Sequence, residues 1–137
     1  MDAGVLIHEG QIRYETLGLH RVLDLGQWWF ESTGLPIPLG LDMVHRRLGN
    51  KLGQRVAHAL QDAIVYARAH EDDALDYALQ YGRGIDRETG QRFVRMYVND
   101  DTVDFGEEGH RALETLYHMA EKKGIIPEAP PLDVVEL

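Results

Sequence analysis

Hydrophobic residues are spaced differently in the two parts of the chain, and the change falls near residue 46. Before it, residues 4–7 form a short, partly β-branched apolar run, which predicts a buried strand that ends at the polar residues 8–10. Residues 12–17 predict a short extended piece. Residues 41–45 predict a second strand, because the prolines in residues 35–40 exclude a helix and favour a sheet edge.

Helix signals are frequent, and after residue 50 apolar side chains recur every three or four positions. Asp24 is a typical N-cap for a short helix that stops at Gly34. Residues 50–67 predict an amphipathic helix of about five turns. A second helix is predicted before residues 82–84, a third after Asp86, and a last one from about residue 107 to the stop at Gly124.

This arrangement is uneven, with strands and turns first and nearly all helix afterwards. Four helices can fold alone, but two short strands cannot form an independent sheet. The sequence therefore predicts either a fragment or a chain that a partner completes. Helices made to cover an absent sheet would expose large apolar faces, so we expect a homo-oligomer or an assembly with the missing part.

Composition limits the classes of partner. The chain has 137 residues and a formal net charge of -9, and its pI is near 5.1. An acidic chain without a basic stripe is a poor match for nucleic acid or an anionic membrane. It contains no cysteine, which excludes disulfides and thiolate metal sites and fits a reducing cytoplasm. We expect a soluble, cytoplasmic protein that takes a small-molecule substrate.

The histidines are the candidate catalytic and metal-binding residues of this sequence, and each role has to be weighed against a structural one. His8 follows the first predicted strand, where a rigid support would suit a catalytic base, although a lone histidine at a strand end is more often structural. His8 and Glu9 do not open a zinc-protease motif, because residue 12 is isoleucine. No two histidines stand four positions apart, and a solvated face explains His110 and His118 best. We predict no metal site.

Several stretches occur in an order that resembles a known family. Residues 2–10, ending in HEG, are similar to a strand-to-loop motif that carries a catalytic histidine. Residues 24–29 (DLGQWW) and 33–40 resemble the next signature. Residues 97–99 and 105–109 are similar to the last helices of the same family. Together they make the chain resemble the C-terminal half of the 1,4-dihydroxy-6-naphthoate synthases of the futalosine route to menaquinone.

The resemblance implies an α/β fold like that of a type 2 periplasmic binding protein, with two lobes around a cleft. Residues 1–45 would end the second lobe and include the hinge strand. Residues 46–137 would be helix-rich and pack on the first lobe. The N-terminal half of the family is absent, and the substrate-binding loops are expected there, so no substrate-binding residue is assigned in this chain.

The resemblance also implies a carbon–carbon lyase that converts cyclic dehypoxanthinyl futalosine to 1,4-dihydroxy-6-naphthoate without a metal or redox cofactor, with His8 as general base. A base of near-neutral pKa suits proton removal beside an activated carbonyl. Glu9 either orients the imidazole or is solvated. Three alternatives stay open: a non-catalytic solute-binding role, a truncated fragment stable through oligomerisation, and a chorismate dehydratase relative.

Overall fold

The computed structural model describes residues 2–8, 10–82 and 84–135, and these residues form helices joined by turns and irregular segments. Two short 3₁₀ helices, Tyr14–Leu17 and Arg46–Leu48, precede longer elements. The α-helices of the described residues are α1 Gly10–Arg13, α2 Leu25–Thr33, α3 Gly49–Ala69, α4 Glu71–Leu79, α5 Arg87–Tyr97, α6 Asp100–Val103 and α7 Gly106–Lys122. The expectation of a helix-rich chain after residue 46 is confirmed.

Local capping explains where the predicted helices begin and end. The Asp24 carboxylate accepts a hydrogen bond from the backbone N–H of Gln27 at 3.0 Å, and this bond holds the pKa of Asp24 below its ordinary value. Asp86 caps α5 in the same way, through the N–H of Thr89 at 2.8 Å. α2 ends at Gly34, whose φ of 70° suits a residue without a side chain. The predicted caps are confirmed.

Helices α4 and α5 lie antiparallel, since the start of α4 contacts the end of α5. The Arg95 guanidinium donates two hydrogen bonds to the Glu71 carboxylate, at 2.7 and 2.8 Å, and lowers the pKa of that carboxyl group. Arg87 bonds two aspartates of α4. Between these ion pairs Leu75 and Gly90 are buried. Gly90 therefore gives the close approach that lets the pair pack.

The buried core is small for a chain of this mass. Among the described residues, the buried hydrophobic side chains are Trp29, Leu35, Leu75, Ala112 and Leu113. The accessible surface is 11127 Å², whereas a compact monomer of 15.6 kDa exposes about 7,200 Å². The chain thus exposes roughly 3,900 Å² beyond that of a compact monomer.

The predicted strands do not form. Residues 4–7 and 41–45 have no regular secondary structure, and no strand occurs within 2–8, 10–82 and 84–135. The physical reason is that a strand needs a neighbour for its backbone hydrogen bonds, and neither segment finds one. The extended piece predicted for residues 12–17 is wrong, because those residues lie in α1 and the first 3₁₀ helix.

Glu71, Asp72 and Asp73 form an acidic first turn of α4, where negative charge suits the helix dipole. The helix end predicted before residues 82–84 falls between α4 and α5, and Arg83 lies outside the described residues. The connection from α5 to α6 is short, because α6 begins at Asp100. In the part of the chain that the structure describes, no helix has the length and apolar character needed to span a bilayer.

Candidate active site

His8 occupies a sharp turn between the irregular residues 2–7 and α1. Its φ is 55°, in the left-handed region that residues with a side chain seldom adopt. Its carbonyl accepts a hydrogen bond from the backbone N–H of Gln11 at 3.2 Å, which closes the turn. A backbone in this region costs of order 1–3 kcal/mol and persists only where its surroundings hold it.

The imidazole of His8 is exposed. The His8 ring lies near the Phe93 ring, with 6.3 Å between the two ring centroids and an angle of 47° between the ring planes. Within the described residues, neither ring nitrogen has a hydrogen-bond partner. Glu9, the residue considered as an orienting group, lies outside the described residues.

Helix α5 supports this turn at two points. Phe93 and Tyr97 stand four positions apart, on one face of the helix, and their ring centroids are 4.8 Å apart. Phe93 faces His8, while the Tyr97 hydroxyl accepts a hydrogen bond from the side-chain amide of Gln11 at 2.7 Å. This bond joins positions 86 residues apart and is partly buried.

Sequence reasoning missed this contact. The available signal is the spacing of Phe93 and Tyr97, which stand four positions apart within the third predicted helix. Nothing in the local sequence around Gln11 indicates that its amide would bind a tyrosine on another helix. The pairing depends on the packing of α1 near α5, which a single sequence does not reveal.

A concave surface of about 490 Å³ lies beside this turn rather than around it. One wall is the segment of residues 36–42, and α3, α5, α6 and α7 supply the others. Tyr97 lies in the wall, but His8 does not line it. The buried Trp29 fixes the first wall, since its indole N–H donates to the carbonyl of Pro36 at 2.9 Å. The cavity is mainly apolar. It is therefore better suited to packing against nonpolar groups than to proton transfer.

The other histidines do not assemble a second site. On α7, His110 lies 3.6 Å from Glu114 and His118 lies 3.6 Å from Glu121. Both pairs are substantially exposed, in line with a solvated face. Across the described ranges, histidine and acidic side chains form no group of three or more that could hold a metal ion.

The described residues form a helix-rich structure in which the exposed His8 adopts a left-handed backbone. A family model described as menaquinone biosynthesis matches residues 1–122. The chain belongs to this menaquinone biosynthesis family.

Two curated relatives narrow the comparison. One is a 1,4-dihydroxy-6-naphthoate synthase of Thermus thermophilus, 40% identical over 95% of this chain and 48% of the relative. The other is a 1,4-dihydroxy-6-naphthoate synthase of Streptomyces coelicolor, 34% identical over 96% of this chain and 46% of the relative. The chain therefore spans about half the length of the curated relatives it matches.

A solved structure supports the fold. A crystal structure of an Archaeoglobus fulgidus protein is 47% identical to this chain and superposes with a TM-score of 0.85. The match covers 88% of this chain and 46% of that protein. The helical arrangement therefore also occurs within a chain about twice as long.

Proposed function

We propose that this chain forms one half of a 1,4-dihydroxy-6-naphthoate synthase and works only with the half that it does not span. The observation that carries the proposal is its similarity to the Thermus enzyme. That similarity runs over 95% of this chain but over 48% of the enzyme. The reaction would convert cyclic dehypoxanthinyl futalosine to 1,4-dihydroxy-6-naphthoate, and the proposal includes no metal or redox cofactor.

The exposed surface supports completion by the other half rather than by a second copy. The excess over a compact monomer is roughly 3,900 Å², whereas a standard interface covers about 800 Å² per partner and an obligate homodimer interface about 1,000–2,500 Å² per partner. A half of similar length, folded into the same domains, covers more surface than a docked copy. We propose that the two halves together form a two-lobed α/β fold like that of type 2 periplasmic binding proteins. In this fold, residues 4–7 and 41–45 join a sheet from the other half.

In this arrangement residues 1–45 end the second lobe, and residues 46–137 pack on the first. The apolar cavity beside residues 36–42 becomes a contact surface for the missing half. The substrate-binding residues come from that half, since the residues that the structure describes bring no cluster of polar side chains to His8.

We assign His8 the role of general base. Its exposed imidazole supports the assignment, because a base must reach the proton that it removes, and among the described residues no side chain competes for the ring nitrogens. The base takes a proton beside an activated carbonyl, and the electron pair left behind drives cleavage of the carbon–carbon bond. The sugar-derived fragment leaves with the electron pair of that bond and takes up the proton held by the imidazolium, and the aromatic naphthoate forms.

The test uses this chain assembled with the half of the Thermus enzyme that it does not match. His8→Asn removes the base but suits the backbone, since asparagine tolerates a positive φ better than alanine does. We expect turnover to fall at least about 100-fold with substrate binding nearly unchanged. His20→Asn is the matched control at another exposed histidine and should retain activity. Unchanged turnover in His8→Asn would refute the base assignment.

Light scattering tests the assembly. We expect the two halves to form a stable complex of one copy each. A compact homodimer of this chain that does not bind the other half would contradict the proposed completion and favour the non-catalytic fragment instead.

A further inference from the structure

The turn that presents His8 is held from outside its own segment. A left-handed backbone at a residue with a side chain relaxes unless neighbouring contacts oppose it. The hydrogen bond between the Gln11 N–H and the His8 carbonyl acts within the turn. Within the part of the chain that the structure describes, Phe93 and Tyr97 of α5 contact His8 and Gln11 from outside that segment.

We infer that Phe93 and Tyr97 of α5 are positioning residues for His8, Phe93 through its ring and Tyr97 through the side chain of Gln11. This inference rests on the proposed role of His8 as base. The centroid distance from Phe93 to His8 is 6.3 Å, and the bond from Gln11 to the Tyr97 hydroxyl is 2.7 Å long. A neutral bond of this length is among the shorter ones in proteins.

The chemistry explains why two contacts are needed. The Phe93 ring limits rotation of the imidazole on one side but cannot fix the backbone. The Gln11 bond fixes the first turn of α1, and the His8 carbonyl accepts from the same residue. Together they set both the direction of the imidazole and the place from which it projects. A general base needs this precision, since a displacement of about 1 Å can cost on the order of 100-fold in rate.

The central variant is Tyr97→Phe in the assembled enzyme. It keeps the ring against Phe93 and removes the hydroxyl that accepts from Gln11. We expect kcat to fall about tenfold, because the base is misplaced for part of the time. KM should stay within about twofold, because the substrate contacts lie in the other half. Tyr77→Phe is the matched control, since it also removes a tyrosine hydrogen bond, that with Tyr81 at 3.2 Å, and should leave kcat unchanged.

Two changes at Gln11 test the link itself. Gln11→Leu removes the donor and should reproduce the fall in kcat, while adding Tyr97→Phe to it should cost little more, because one bond is lost once. Gln11→Glu should restore most of the rate, since a carboxylate accepts a hydrogen bond from the tyrosine hydroxyl. If the losses of kcat in Gln11→Leu and Tyr97→Phe are equal and add in the double variant, the Gln11–Tyr97 hydrogen bond does not link them and the inference is overturned.

A second readout follows the geometry directly. The nuclear Overhauser effect between the His8 and Phe93 ring protons should weaken in Tyr97→Phe and persist in Tyr77→Phe. If His8→Asn abolishes turnover while Tyr97→Phe changes neither kcat nor this effect, the positioning role fails and the base assignment stands. If His8→Asn leaves turnover unchanged, the proposed function itself fails.

Discussion

The two adjacent tryptophans of α2 make a sharp test of the buried core. Trp29 is 3% exposed, whereas Trp28 is 45% exposed. Trp29 also donates its indole N–H to the carbonyl of Pro36. Trp29→Ala should therefore lower the free energy of unfolding by about 3–5 kcal/mol, through lost packing and an unpaired carbonyl. Trp28→Ala should cost less than about 1 kcal/mol in the same chain.

The expected loss of unfolding free energy converts to a decrease in melting temperature. Unfolding entropy near 60 °C is about 2.1 cal/mol/K per residue, so a loss of about 4 kcal/mol lowers the midpoint of a chain of this length by about 14 °C. Trp29→Phe, which keeps a ring but not the donor, should cost about 1–3 kcal/mol. This milder variant replaces Trp29→Ala in the experiment if the alanine variant is too unstable to give a cooperative melting transition.

Circular dichroism melts of each variant measure these midpoints. The chain has two tryptophans, so Trp28→Phe isolates the fluorescence of Trp29. That emission should be blue-shifted and poorly quenched by acrylamide. A midpoint that falls as far in Trp28→Ala as in Trp29→Ala would refute the burial on which this reasoning depends.

Two further predictions concern helix packing and pH. Gly53→Ala should stabilise the chain by about 0.5–1 kcal/mol, since an added Cβ meets its nearest atom at an ordinary 3.8 Å. Gly109→Ala would place a Cβ 2.7 Å from the Phe105 ring and should be about 1–3 kcal/mol less stable than Gly53→Ala; equal midpoints in urea would contradict this. The Glu71 carboxyl has its pKa lowered by Arg95 from an ordinary 4.5, so its contribution is present above that pH and lost as the pH falls through the folded value. Stability should therefore fall more steeply below pH 4.5 than in Glu71→Gln, and parallel curves would show that the ion pair does not contribute.

The helices could be predicted because their signals are local. Asp24, Asp86 and Gly34 each act on atoms within four positions, so the sequence around them contains the whole interaction. The long periodic pattern of α3 reports its amphipathic face in the same way. These elements form at their predicted places, with ends displaced by one or two residues.

The candidate site could be predicted only in part. The position of His8 at the exit from an apolar run is a feature of sequence order. Its left-handed backbone, its contact with Phe93 and the bond from Gln11 to Tyr97 all depend on how α1 packs near α5. Residues 12–17 were misassigned for a related reason, since a short apolar segment fits a helix and a strand almost equally well.

The apolar run before His8 shows why the strand predicted for residues 4–7 does not form. Val5 and Ile7 are 74% and 62% exposed, and Leu6 between them is also exposed. Alternate residues of a strand point to opposite faces, so a run that is apolar at every position is typical of a strand covered on both sides. Within this chain neither side is covered and no neighbouring strand is present in the described residues. The sequence pattern thus fits the proposed sheet that this chain would share with the other half, and in that proposal the same neighbouring strands would cover the exposed run and complete its backbone hydrogen bonds.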